Sequence, residues 1–370
     1  MDFLQHDSKI WGANAMRSSG NFCVALILCL APGAWSQQPA GTGMENAGGD
    51  AGVVRLNVVV TDKSGKPVAG LGAGDFTLLD NKQPAKILSF QAYGASRTPN
   101  PPVEVIILFD AVNTGFGEVS MTRQQVEAFL RQNGGRLAQP VALYFLTDEG
   151  VQVQKEPTTD GNGLAADLQA TESRLRILNR SAGAWGAIER FDFSVKMLTE
   201  VTQSLVDKPG RKLLIWAGPG WPMLDGPDVN IGTKGQKEMF ENIVGLNTML
   251  RMGQVDVYSV SQGMPGAMTY AYQSYLKGVK KVNQVNPPDL GLKVIAVQSG
   301  GLALSPNNDL TGSIDTCVQD AGAYYTITFR PPPADGPNEY HELKVKVVQA
   351  GLTARTNTGY YDQPGMTAAP

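Results

Sequence analysis

The residue best placed to do chemistry is Asp110. It closes the run Val103-Glu-Val-Ile-Ile-Leu-Phe-Asp110, and Ala111-Val-Asn-Thr114, Gly115 and Gly117 follow before a helical pattern begins. A buried parallel strand reads as a continuous apolar run, and ligands of open α/β sheets lie beyond the carboxyl ends of the strands. The carboxylate is therefore expected where a site would be. Other reactive groups are scarce. The chain holds 2 histidines. His6 lies before or inside an N-terminal export signal, and His341 reads as an exposed residue of an alternating β stretch. No Gly-x-Ser-x-Gly elbow is present to partner His341 in nucleophilic catalysis. Gly232-Thr-Lys-Gly-Gln-Lys237 lacks the spacing and the Gly-Lys-Ser/Thr ending of a phosphate loop. No Gly-x-Gly-x-x-Gly follows the Val103 run, and no His/Cys/carboxylate cluster suggests zinc. The sequence is read as that of a non-enzyme, with a hydrolase as the disfavoured alternative.

The elements that would position Asp110 follow from periodicity. From Val103 onward, apolar runs alternate with helical patterns. Strands are expected at Val103–Asp110, Pro140–Thr147, Arg211–Ala217, Val255–Val260 and Leu302–Ser305, with Gly150–Lys155 as an edge strand. Helices are expected over 122–131, about 160–180, about 184–207, about 233–252, 288–299 and Asn307–Gly322, the last capped by Asn307 or Asn308. Such alternation calls for a doubly wound, mostly parallel sheet with helices on both faces. The flanks read differently. Val53–Thr61, Asp75–Asp80 and Ala85–Phe90 precede the α/β part; Ala323–Arg330, Tyr340–Val348 and Leu352–Asn357 follow it, all strand-like. Each flank alone has too few strands to bury an apolar face. Together they predict a small β-sandwich built from N- and C-terminal strands.

This gives a domain plan. Residues 1–36 are read as a signal peptide: Arg17, the apolar core Phe22–Ala31, then Ala34-Trp-Ser36 at cleavage spacing. Met16 is an alternative start. Residues 37–52 are a flexible linker, 53–97 the N-terminal β segment, 98–322 the α/β domain opened by the hinge Thr98–Pro102, 323–362 a C-terminal β segment pairing with 53–97, and 363–370 a disordered tail. The apolar core of the signal is well short of the roughly 20 residues of a membrane span, so no transmembrane segment is expected in the mature chain. The protein is thus expected to be exported, periplasmic or secreted. A net charge of -3 and the lack of a basic cluster exclude nucleic acid as a partner. Of 3 cysteines only Cys317 would survive cleavage. No intrachain disulfide is then possible, and Cys317 reads as a buried helix residue.

Several stretches in order carry a resemblance: Val58-Val-Val-Thr-Asp-Lys-Ser-Gly-Lys-Pro-Val68, Gly74-Asp-Phe-Thr-Leu-Leu-Asp80, Leu108-Phe-Asp-Ala-Val-Asn-Thr114, Pro209-Gly-Arg-Lys-Leu-Leu-Ile-Trp216, Ser299-Gly-Gly301 with Asn307-Asn-Asp-Leu310, and Tyr324-Tyr-Thr-Ile. Over about 53–362 the chain resembles the von Willebrand factor A-related proteins abundant in Acidobacteria. The resemblance implies a doubly wound A-domain fold and an exported protein, and no reaction. It also implies a place for a divalent cation, Mg²⁺, held by an Asp-x-Ser-x-Ser first loop, a second-loop Thr and a third-loop Asp. Mg²⁺ wants octahedral oxygen ligands and leaves a position for a partner's carboxylate. Here Asp110 matches, Val112 replaces the first hydroxyl, Thr114 stands for the second, and Ser181 is the only hydroxyl near the second loop. Asn113 offers an amide oxygen out of register. Ala217-Gly-Pro-Gly220 stands where the third-loop Asp should be, with Asp225 and Asp228 further along. The metal set is therefore Asp110, Thr114 and Ser181, a degenerate site; the alternative is that Asp110 and Thr114 organise the loop by hydrogen bonds.

Aromatic residues near the loops suggest a binding face, because Trp and Tyr combine contact area with a polar handle. Asn113, Phe116, Trp185 and Trp221 are the expected partner-binding residues, on loops around 110–118, 181–186 and 218–230. Trp216 reads as core. The function expected is an adhesion or interaction module that engages another envelope or extracellular protein. The alternative is a structural or assembly component of the envelope that self-associates through a sandwich edge, without metal.

Overall fold

The structure is a computed structural model that describes residues 52–94, 103–153, 156–171, 183–225, 231–266 and 268–362. The expected signal peptide, most of the linker, the Thr98–Pro102 hinge, Ser181, Asp228 and the tail lie outside the described residues. The N-terminal flank forms β1 (Val54–Thr61), β2 (Phe76–Asp80), β3 (Gln83–Ala85) and β4 (Ile87–Tyr93). The turn after β1 is closed by Asp62, whose Oδ1 accepts from the backbone of Ser64 at 2.7 Å and Lys66 at 3.1 Å, with Gly65 at φ 84°.

The α/β part begins with β5 (Glu104–Asp110) and α1 (Phe116–Leu130). It continues through β6 (Arg136–Thr147), β7 (Gly150–Val153), β8 (Thr158–Asp160), α2 (Gly161–Thr171), α3 (Gly183–Val206) and β9 (Lys212–Ala217). Next come α4 (Thr233–Met252), β10 (Val255–Val260), α5 (Leu292–Gln298) and α6 (Leu310–Gln319). The sheet runs β10-β9-β5-β6-β7, with β8 on β6. β10, β9, β5 and β6 are mutually parallel; β7 and β8 are antiparallel to β6. The chain therefore moves outward from β5 in one direction, returns, and moves outward in the other. The strand order reverses between β5 and β9, and the crevice above those two carboxyl ends is where such sheets hold ligands.

Both faces of the sheet are covered. Ile106, Leu108, Leu214, Trp216 and Val257 pack under α3, α4 and α5. Val105, Ile107, Phe109, Leu213 and Ile215 pack under α1, α2 and α6. This is why the central strands read as unbroken apolar runs: alternate residues serve opposite layers. Each fully buried Ile or Leu here contributes roughly 1.5–3 kcal/mol relative to exposure.

The C-terminal flank forms β11 (Tyr324–Phe329), β12 (Glu339–Val347), β13 (Thr353–Arg355) and β14 (Gly359–Asp362). Its strands pair with those of the N-terminal flank in two antiparallel sheets, β13-β1-β11-β4 and β14-β12-β2-β3. Leu56 faces Ile327 in the first and Leu78 faces Val345 in the second. Leu56, Val58, Tyr325 and Ile327 from one sheet share an apolar cluster with Phe76, Leu78, Leu343 and Tyr360 from the other.

Several expected elements differ. The helix expected over 288–299 is broken: Pro287–Leu290 is a 3-10 turn, and α5 begins only after Gly291. Residues 302–305 make one bridge, Ser259 to Ala303, rather than a strand. The last helix is capped by Asp309, whose Oδ1 accepts from Gly312 N at 2.8 Å, while Asn307 in turn accepts from Asp309 N. The stretch 352–357 is not one strand; β13 stops at Arg355 and a further strand, β14, follows. His341 is buried, not exposed, at 3% of its surface. It lies on β12, which has a neighbour on each side.

Candidate functional site

Asp110 ends β5 beside the switch point, 3% exposed. Both of its oxygens are occupied by N–H donors. Oδ1 accepts from the backbone of Val112 (3.1 Å) and Asn113 (2.9 Å) and from Asn113 Nδ2 (3.1 Å). Oδ2 accepts from Asn113 Nδ2 (3.0 Å) and from the indole Nε1 of Trp216 (2.9 Å). The parity of the strands explains the last contact. Asp110 shares a face with Leu108 and Ile106, and Trp216 lies opposite Leu108 on the adjacent β9. The indole thus reaches the end of its neighbour strand on the same face. Burial pushes the Asp110 carboxyl above its ordinary range, against the pull of these donors.

The loop is tied further. Asn113 Nδ2 donates to Ser194 Oγ of α3 at 3.0 Å. Backbone closes over the carboxylate from the β9 side: a Cβ on Gly218 would lie 2.6 Å from Asp110 Cβ and 3.3 Å from Thr114 Oγ1. Thr114 is 7% exposed, and its hydroxyl and Asn113 Oδ1 have no hydrogen-bond partner.

These residues do not fit a divalent cation. Mg²⁺ requires bare oxygen lone pairs directed at one point. Asp110 presents its oxygens to five N–H contacts, and Trp216 directs a proton donor at the oxygen a cation would need. Among the described residues of this loop, the orphaned Thr114 hydroxyl and Asn113 amide oxygen remain as acceptors, both uncharged. Among the described residues no group of three or more His, Cys, Asp or Glu is placed to hold a metal. The arrangement is that of a clasp closing the β5–α1 loop onto β9 and α3.

The expected partner-binding residues separate. Asn113 is part of the clasp and half-buried. Trp221 is 4% exposed; its Nε1 donates to Leu290 O at 2.9 Å, and its ring meets Trp216 edge-on at 5.2 Å. It is therefore core, corrected from a surface contact: Gly220, at φ 71° and packed on Leu292, turns the chain inward just before it. Phe116 begins α1, and its side chain lies outside the described residues. Trp185 is 56% exposed in the first turn of α3. Ser194 of this helix meets the Asn113 side chain. Trp185 stands nine residues earlier, about 13 Å further along the axis at the helical rise. The first turns of α3 thus project past the sheet edge.

Two buried polar clusters lie elsewhere. Arg211, the residue before β9, bonds Asp256 of β10 at 2.6 and 2.8 Å, donates to Asp320 O, and lies 4.7 Å over the Tyr324 ring. Burial opposes its charge, yet Asp256, Tyr258 and Asp320 push its pKa up. Asp320 Oδ2 accepts from Tyr258 Oη at 2.7 Å and from Arg355 Nη2 at 2.6 Å, which ties β13 to the α/β part. The second cluster joins His341, Asp80 and Tyr360. Sequence reasoning missed Trp216 and Ser194 as clasp residues. Register alone reveals them, since neither belongs to a recognisable local pattern.

No family model matches the chain, and no curated protein matches it. Among solved structures it is similar to the human COPII-coat protein Sec24c, with 8% identity and a TM-score of 0.33 over 72% of this chain. It is also similar to the TFIIH p34 N-terminal domain, with 9% identity and a TM-score of 0.25 over 53% of this chain and 96% of that one. The chain spans 45% of the Sec24c chain. Both likenesses are weak; the strand order above describes the fold without them.

Proposed function

We propose that this chain is an interaction module of the A-domain kind that engages another protein through the carboxyl edge of its parallel sheet, without a cation. The observation that carries the reading is the distribution of exposed apolar side chains. Four of the nine large ones among the described residues lie at this edge: Trp185, and Met264 (86%), Met268 (68%) and Tyr270 (53%) in the segment leaving β10. Large apolar groups held in water at one edge mark interaction sites, and Met and Trp suit them by adaptability and area. The clasp at Asp110 supports a rigid platform in place of a metal-bridged contact. The two flanking sheets are read as one sandwich, supported by their shared apolar cluster. Export, expected from residues 1–36, would place the partner in the envelope or outside the cell.

The test is capture from an envelope extract with wild type and with Trp185→Ala/Met264→Ser/Met268→Ser. Capture of a defined protein that is lost in the triple variant, unchanged by chelator, with the melting temperature preserved, is the expected result. Equal capture by both proteins overturns the reading. A second reading, self-association through a sheet edge, is favoured by β4. It is an uncharged seven-residue edge strand with Leu88 49% exposed. Light scattering distinguishes it, since only this reading requires a dimer.

A further inference from the structure

His341 is the only histidine among the described residues, and every charged group on its own sheet that faces it is an acceptor. Its Nδ1 lies 2.9 Å from Asp80 Oδ1 on β2, and its ring stacks on Tyr360 of β14 at 4.8 Å. Asp80 Oδ2 accepts from Tyr360 Oη at 2.7 Å, so one carboxylate joins all three strands. On the other side of the ring, Nε2 is buried with no hydrogen-bond partner, and the nearest charged atom is Glu339 Oε1 at 3.7 Å. Asp362 of β14 adds negative charge. The groups packed around the ring are thus Asp80 from β2, Glu339 from β12, and Tyr360 and Asp362 from β14. Arg251 of α4 faces Tyr360 and Asp362 rather than the imidazole. Asn81 Nδ2 approaches Nδ1 at 3.4 Å, but the shorter contact to Asp80 places the proton on Nδ1.

With Nδ1–H given to Asp80, a neutral ring would turn a buried, bare Nε2 lone pair toward the Glu339 carboxylate 3.7 Å away. An imidazolium presents N–H to both sides. We propose that His341 is a proton-held staple that keeps β14 on β12 and β2, and that loss of its proton loosens the C-terminal strand. What depends on the staple is the contact of β14 with α4 and with the loop at Val279: Tyr361 packs on Phe240 of α4 at 6.0 Å and donates to Val279 O at 2.9 Å. The hydrogen bond to Asp80, opposed by burial and aided by the surrounding carboxylates, raises the histidine pKa above 6.5. A group raised on folding contributes stability that is fully present below its unfolded pKa. That contribution is lost as pH rises through the folded value.

The experiment is an NMR titration of the His341 ring proton in the full chain, with thermal melts across pH for wild type, His341→Gln and Asp80→Asn. The expected result is titration above 6.5, a melting-temperature advantage over His341→Gln that narrows as pH rises, and a lower His341 pKa in Asp80→Asn. Titration of wild type at or below 6.5, or a pH-independent advantage, overturns the proposal. The wild-type titration decides even if a variant does not fold.

Discussion

Replacing Asp110 by Asn tests whether this carboxylate is a clasp or a ligand. The two backbone donors on Oδ1 would keep the amide oxygen there, leaving the amide NH₂ where Oδ2 now is. It would face Trp216 Nε1–H and Asn113 Nδ2, donor against donor. Two hydrogen bonds to a charged acceptor are lost, each about 1.5–3 kcal/mol. Part is regained because a buried charge disappears, the same burial that raises the Asp110 pKa. The net loss is about 2–4 kcal/mol. For a chain of this size that lowers Tm by about 3–6 °C. Adding Trp216→Phe removes one of the opposed donors, so the double variant should be less destabilised than the sum, with a coupling of about 1–2 kcal/mol. The assay is urea and thermal unfolding followed by circular dichroism, with chelator and with millimolar Mg²⁺. A loss under about 0.5 kcal/mol would show that the clasp is not structural. A Mg²⁺-dependent rise in wild-type Tm that vanishes in Asp110→Asn would refute the exclusion of a cation.

Other outcomes follow from the buried groups. Arg355→Ala removes the cation that bonds Asp320 at 2.6 Å and should cost about 3–5 kcal/mol in denaturant unfolding, because the carboxylate stays buried. Cys317 is fully buried and its thiol is pushed well above its ordinary pKa by burial, so a thiol reagent should label it only as the protein unfolds. Labelling in native buffer at the rate of a free thiol would contradict this.

Much of the α/β architecture was legible because of how its strands are buried. β5, β9 and β10 are covered on both faces, so each appears as an apolar run without alternation. What escaped depends on register. Nothing near Trp216 in the chain points to Asp110, 106 positions away. Nor does the loop Gly218–Pro222 announce that Trp221 folds inward onto Leu290. The burial of His341 is legible in the phase of its strand. The residue shares parity with Leu343 and Val345, both buried, and this places it on the inner side of β12. The Asp309 cap was missed for a simpler reason: in Asn307-Asn-Asp309 all three residues are good caps, and only the start of α6 distinguishes them.

The interleaving of the two flanks has a consequence for the order in which the protein can mature. Val54 pairs with Phe329, and Phe76 with Val347. Strand β1 therefore has no strand partner until β11 and β13 have been made, and β2 has only the short β3 until β12 follows. Such distant pairings close slowly, because the loop entropy of the intervening chain must be overcome before any contact compensates it. The strands that are made first are completed last. The sandwich can close only after the α/β part that separates its two halves has been made.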